Sequence, residues 1–502
     1  MLVWPGHPWF SFDKRIVSID PQMRTFALGD DRDYTLRGGG GDQYYLRNVL
    51  AFLTRPGQCQ IAHSRGRAYV WPRGGDGDGD VASREIIATT AANLLRLAAD
   101  DGETIRNVHF RGLDLVGANG DLVYFSNAAD CSVRFSRLAV AHGNGVHAEG
   151  AAQRVTIYGN LIEDHGGHGV RLAGLGYDTP DVNHGHVVEN NHIRRCGYAE
   201  GPGYGVEITW SGRNKVLHNH IHDLPRYGTS IKGTHGGHLP AGDPAIEDLD
   251  QRASRNHSRD NLIAFNHIHH VNLESQDTGA MESWGPGRGN VYDHNLIHDT
   301  GTPEWDTQQA IYLDDASHGF TVTNNIVYNV RGNGGGLWCV FAKGVDVTID
   351  NNVLVARPPI VYGIGSLAMA GERTSHHRYR RNIFYFTGTA AERAEAKAVI
   401  APIDERWDPD RIIESDHNLI WDTSGDAPVF RIGGRRLSWD QWRAMPRGYE
   451  RHSVVADPLF VDPEIHDYRL RPNSPALELG FKPIDVNRIG LKADFPARLP
   501  RG

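Results

Sequence analysis

The chain is poor in cysteine and has no long apolar run. Its four cysteines, Cys59, Cys131, Cys196 and Cys339, are scattered and form no CxxC. Neither a disulfide framework nor a thiolate zinc site is expected, and each cysteine reads as a small buried hydrophobe. No apolar stretch approaches the roughly 18 residues of a membrane span, so no membrane is expected as a partner. The opening MLVWPGHPWFSFDKR has no charged segment leading into an apolar one. The expectation is therefore a protein that is not exported, or a chain that lacks its original beginning. Basic runs interleaved with aromatics are missing too. With a net charge of −9 and a pI near 6.3, no nucleic acid is expected as a partner, and a neutral or only locally charged ligand fits better. Nothing in the composition fixes the oligomeric state.

Helical periodicity is also missing, and a β-type repeat takes its place. A length of 502 residues would by itself suggest several domains. An Asn-x-aliphatic triplet, however, recurs at Asn160, Asn191, Asn219, Asn266, Asn295, Asn325, Asn352 and Asn382, in steps of 31, 28, 47, 29, 30, 27 and 30 residues. Between the triplets lies a second short strand, usually opened by glycine: GVRLAG at 169, GVEITW at 205, GTSIKG at 228, GAMESW at 279, AIYLDD at 310 and GLWCVF at 336. Short strands with Gly and Asn at the corners predict an all-β fold, a right-handed parallel β-helix whose coils stack on one another. The expected organisation is a β-rich flank over 1–100, the β-helix over 101–390 and a capping region over 391–502. The 47-residue step marks an insertion at about 234–260, which reads as either a lid or decoration.

The repeated Asn reads as structural, its amide satisfying backbone groups at a corner and stacking on the Asn of the next coil. His192, His220 and His267 follow ladder asparagines and fall on one line. A single row at coil spacing is a poor source of the three or four converging ligands that zinc needs, so no metal is expected there.

Stacked coils place equivalent residues about 4.8 Å apart, with alternate side chains outward. Setting Val170, Leu172, Val206, Ile208, Ile231, Met281, Ile311, Leu313 and Leu337 inward requires a one-residue shift in GAMESW. It leaves one outward column of Arg171, Glu207, Ser230, Glu282, Tyr312 and Trp338, and a neighbouring one of Ala173, Thr209, Lys232, Trp284, Asp314 and Val340. Carboxylates beside aromatics are the composition of a sugar-binding cleft, because rings stack on pyranose faces and carboxylates bond hydroxyls or move protons. Glycosidic cleavage needs one carboxyl to protonate the leaving oxygen and another to attack or to activate water. Asp314 is the candidate for one role, with Asp277 or Glu282 of the preceding coil as its partner. Asp315 reads as a cap of the turn at Ala316-Ser317.

The segments DTGAMESWGPGRGN (277–290), QAIYLDDASHGFTVTNNIVYNV (309–330), YYLRNVLAFLTRPGQCQIAHSRGRAYVWP (44–72) and DPLFVDP (457–463) resemble β-helical glycoside hydrolases. The pattern is most similar to glycoside hydrolase family 141 and more distantly to family 120. The resemblance implies a usually exported enzyme whose catalytic acids are Asp277 and Asp314, with Asp315 competing for the second role. Where the family has Pro-Gly-Glu-Trp, Gln58-Cys59 stand here.

The leading expectation is a glycoside hydrolase without a cofactor, acting on a carbohydrate. Asp277, Asp314, Glu282 and Asp315 are its catalytic candidates, and Glu207, Lys232, Trp284, Arg288, Tyr312, Trp338 and Arg171 its substrate ligands. A polysaccharide lyase or epimerase is the alternative, using Lys232, Arg226, Tyr227 and Arg171 on a uronate, often with calcium neutralising the carboxylate. A non-catalytic glycan-binding solenoid is the third. Lys232 has a plainer reading as the ion-pair partner of Glu207 or Asp314.

Overall fold

The computed structural model describes residues 1–4, 9, 11–29, 43–72, 86–100, 102–199, 201, 203–333, 337–357, 362–368, 373–388, 398–403 and 408–497. The Gly-rich segments at 38–42 and 74–80, Gly336 and residues 389–397 lie outside them. The chain divides into two compact units, Met1–Thr90 and Ala91–Gly502. The first holds short antiparallel pairings: Leu2–Trp4 between Phe12–Asp13 and Gln43–Tyr45, Ile16–Asp20 with Thr25–Leu28, and Cys59–Ala62 with Arg67–Val70. Cys59 is exposed there, contrary to the expectation of burial, because it lies on a hairpin; Cys131, Cys196 and Cys339 are buried.

The second unit is the parallel β-helix. Three long sheets run along it, of 11, 12 and 11 strands, and a central coil contributes one strand to each. The coil holding the 278–284 strand illustrates the pattern: Leu262–Ala264 belongs to the first sheet, His267–His269 to the second and Thr278–Trp284 to the third. In the third sheet, register stacks Val146, Val170, Val206, Thr229, Met281, Ile311, Val340 and Ile364 into one interior column. Burying each aliphatic member contributes about 1.5–3 kcal/mol. The pairing of Thr229 with Met281 is the one-residue shift that the hydrophobic pattern demanded.

The corners explain the Asn triplets. Each ladder Asn is fully buried, and from Asn191 onward its Oδ1 accepts from both the backbone N–H and the Nδ2 of the previous Asn. For Asn266 both bonds, from Asn219, are 2.9–3.0 Å. The residue before it takes a left-handed backbone, as at His218 (φ 54°), Phe265 (φ 57°) and His294 (φ 51°). This conformation is costly for a bulky side chain and persists because the ladder pins the corner. The three rings then stack on one another, 4.8–4.9 Å between centroids.

The insertion folds into short helices at Gly236–His238, Pro244–Ile246 and Leu249–Arg255. His235 and His238 pack edge-on against Trp284, at 4.6 and 5.0 Å, so the insertion forms a wall beside the third sheet.

Candidate functional site

The outer face of the third sheet gathers most of the residues that the coil alignment selected. Register runs Arg171, Glu207, Ser230, Glu282, Tyr312 and then Phe341. Trp338 is thus not in Tyr312's column. It pairs with Gln309, because the register between strands 308–313 and 337–342 lies three residues from the one that glycine counting implied. Val340 pairs with Ile311 and belongs to the core rather than to the column of Asp314. Trp338 still joins the site's margin, packing on Phe341 at 4.5 Å and Tyr362 at 5.4 Å.

At the centre, four side chains form a chain of contacts. Lys343 donates through Nζ to Asp314 Oδ1 at 2.7 Å and to the Tyr312 hydroxyl at 2.8 Å, and that hydroxyl donates to Asp277 Oδ1 at 2.9 Å. Asp315 lies 3.3 Å from the same ammonium. It does not cap the turn at Ala316-Ser317, which closes through the backbone, Ser317 N–H donating to the Asp314 carbonyl at 3.1 Å. Asp277 precedes its strand in a left-handed conformation (φ 49°), and its carbonyl accepts from Arg226 Nη2 at 3.3 Å.

This environment separates the acids. Burial pushes the Asp277 carboxyl above its ordinary range, and the nearby charge of Asp314 pushes it further. Burial acts the same way on Asp314, but the charge and hydrogen bond of Lys343 outweigh it and hold that carboxyl below the usual range. Asp315 is pushed up to about 6 by burial and by Asp314. Lys343 stays charged: burial opposes the charge, yet the facing carboxylates raise its pKa.

Glu282 is fully buried and occupied. Ser230 Oγ donates to its Oε2 at 2.6 Å and Lys232 Nζ pairs with its Oε1, so the partner of Lys232 is neither Glu207 nor Asp314. Burial raises the Glu282 carboxyl while Lys232 opposes the rise, and Lys232 is itself raised despite burial because Glu282 faces it. The two directions favour opposite protonation of Glu282. The ion pair agrees with both of its oxygens accepting hydrogen bonds. Glu207 lies further along the face, with Arg171 Nε at 2.8 Å and His168 Nε2 at 3.5 Å, and these neighbours outweigh burial and lower its pKa.

An aromatic patch flanks the acids. Tyr204 and Tyr227 lie 4.7 Å apart, with Lys232 4.9 Å and Arg226 4.3 Å from the Tyr227 ring. Arg226 is 5% exposed, and its Nε and Nη1 have no hydrogen-bond partner among the described residues. Arg288 is not brought to the acids; it pairs with Asp346 at 3.1 Å and Asp250 at 3.3 Å. Sequence alignment missed Lys343 and Tyr204. Phe341 standing beside Tyr312 places Lys343 beside Asp314, so correct register of LWCVFAK would have found the lysine.

The family model described as right handed beta helix region matches residues 90–239. No curated protein matches the chain. Among solved structures, it is similar to one described as a glycoside hydrolase, at 16% identity and TM-score 0.33, covering 47% of this chain and 38% of that one. It is also similar to an alginate lyase from a Paenibacillus species, at 12% identity and TM-score 0.37, covering 68% of this chain and 99% of that one. A third is a tailspike protein from an Escherichia coli bacteriophage, at 9% identity and TM-score 0.35, covering 66% of this chain and 40% of that one. The chain thus spans under half the length of the hydrolase and of the tailspike. The fold, the all-β right-handed parallel β-helix that the repeat predicts, rests on the family model and on the three long parallel sheets.

Proposed function

We propose that the chain is a glycoside hydrolase, with Asp277 as general acid and Asp314 as the ionised carboxylate. The observation that carries this reading is the opposed shift of the two acids at either end of the Tyr312–Lys343 bridge. Two carboxyls whose environments drive their proton affinities apart are an acid and a base at the same pH. In the proposed reaction the glycosidic C–O bond breaks, its oxygen takes the proton of Asp277, and the anomeric carbon is attacked by Asp314 or by a water that Asp314 deprotonates. The part-exposed rings of Tyr204 and Trp284 would supply faces for neighbouring sugar rings.

The lyase reading keeps one supporting observation: the buried Nε and Nη1 of Arg226, without a hydrogen-bond partner among the described residues, suit a uronate carboxylate. Against it, Lys232 and Lys343 are both raised and therefore charged, whereas a lysine acting as base must be neutral. Incubation with a panel of neutral and uronate-containing polysaccharides separates the readings. Hydrolysis yields new reducing ends with no ultraviolet absorbance, and Asp314→Asn abolishes them; an absorbing unsaturated product would replace the hydrolase with a lyase. Full turnover by Asp314→Asn would sink the assignment of that residue.

A further inference from the structure

The second sheet carries a feature unconnected with the acids. Its outer face has two adjacent columns that stay in register over many coils. One reads Leu161, His192, His220, His267, Leu296, Ile326 and Val353; the other reads Glu163, Arg194, His222, His269, His298, Tyr328. In the later coils these positions are aliphatic or aromatic and pack under Phe460, Tyr468 and Phe481 of the C-terminal region. In the middle coils they are six histidines. Apolar packing explains the former and not the latter, since the same columns elsewhere use Leu, Ile and Val.

The imidazoles are arranged in pairs across coils. His192 Nε2 lies 2.7 Å from His222 Nε2, His220 Nε2 2.7 Å from His269 Nε2, and His267 Nε2 2.7 Å from His298 Nε2. Rings within a column stack 4.8–5.1 Å apart. Two of the pairs have a carboxylate behind them: Asp223 Oδ2 is 2.9 Å from His222 Nδ1, and Asp299 Oδ2 is 2.7 Å from His298 Nδ1. A carboxylate accepting from Nδ1–H fixes the tautomer that leaves a lone pair on Nε2, the arrangement found behind histidines that bind metal. The single row read from the sequence lacked this second column and its acids.

We propose that His192, His220 and His222 form a binding site for a divalent transition-metal cation of the zinc class, with Asp223 as the positioning residue behind His222. Their ligand nitrogens all lie within 4.8 Å of one another. Two nitrogens on one tetrahedral zinc stand roughly 3.3 Å apart, so the His192–His222 pair needs to open by only about half an ångström. The ion replaces the proton shared between Nε2 of His192 and Nε2 of His222, which leaves to solvent. Imidazole ligands favour zinc, copper or nickel over calcium or magnesium. His220 belongs as well to the neighbouring triad with His267 and His269, so its removal disables both.

The test uses the full chain without a histidine tag, stripped with chelator. Zinc chloride is titrated calorimetrically, and cobalt(II) is added as a spectroscopic probe. Saturable zinc binding and a tetrahedral cobalt spectrum are expected. His220→Phe, which keeps a ring in the stack, should abolish the cobalt spectrum, and Asp223→Asn should weaken binding by about 10- to 100-fold. Melting without metal shows whether His220→Phe is folded; if it is not, the half-exposed Asp223 decides. No saturable binding in the unaltered protein, or unchanged binding in Asp223→Asn, overturns the proposal. Binding at the separate Asp416, His417 and His452 group would survive both substitutions and also counts against it.

Discussion

The Lys343 ammonium lies 2.7 Å from the Asp314 carboxylate and is what keeps that buried acid ionised. Lys343→Met removes the strongest influence opposing burial and leaves only the Tyr312 hydrogen bond and the charge of Lys232 against it, so the Asp314 carboxyl should rise. If Asp314 works as the ionised group, the acidic limb of the pH–rate profile moves to higher pH, by about 1–3 pH units, the range an adjacent cation commonly contributes. Lys343→Arg should restore much of the original limb. An unmoved limb in Lys343→Met, with activity retained, would separate Asp314 from the proton chemistry.

Asp277 should set the basic limb, since a general acid works only while protonated. Asp277→Asn is expected to cost about 10²–10⁴ in kcat on an ordinary glycoside. The loss should be much smaller on an aryl glycoside whose leaving group needs no proton. Tyr312→Phe removes a hydrogen bond that favours ionised Asp277, so the basic limb should move upward. Steady-state kinetics on the two substrate types across pH check all three statements.

The parts of this site differ in how far they could be read from the chain. The Asn triplets and the alternating Val, Ile and Leu positions mark coil period and core face directly, because each depends on a local repeat. Asp277 and Asp314 followed from that alignment and from a resemblance. Lys343 did not, since it stands beyond a strand whose start was counted from Gly336 and fell out of register. Trp338 was displaced for the same reason. A parallel coil fixes its neighbour's register through hydrogen bonds, which short glycine-punctuated strings specify weakly. The paired histidine columns needed two coils to be superposed before the Nε2 contacts became visible, and the repeat does not single out the carboxylates behind them, Asp223 and Asp299.

Asp315 ties the site to the pH dependence of stability. Its carboxyl sits near 6 in the folded protein, against an ordinary value of 3.8. Between those values the folded state binds more protons than the unfolded one, so this group makes stability fall as pH rises through the window. Asp315→Asn removes that slope. Melting temperatures measured from pH 4 to 6 should therefore decline less with pH in the variant than in the unaltered protein. An identical decline would mean that Asp315 is not a proton-retaining group.

The asparagine ladder makes a sharper stability prediction, because each amide serves as donor and acceptor in one line. Asn266 accepts from the backbone N–H and the Nδ2 of Asn219, and donates to the Val216 and Ala264 carbonyls and to Asn295 Oδ1. Asn266→Ala strands those buried groups, and each one left unsatisfied costs about 1–3 kcal/mol. Asn266→Asp keeps the shape and the acceptor, but as a carboxylate it faces carbonyl oxygens with nothing to donate. Its folded-state pKa must then be raised above the unfolded value of about 3.9. The protonated acid supplies one donor, so that variant should be most stable at low pH and lose stability as pH rises past about 4, whereas Asn266→Ala should show no such added dependence. Protease susceptibility of the central coils, followed for both variants at pH 4 and 7, distinguishes a ladder that needs its donors from one that merely needs its shape.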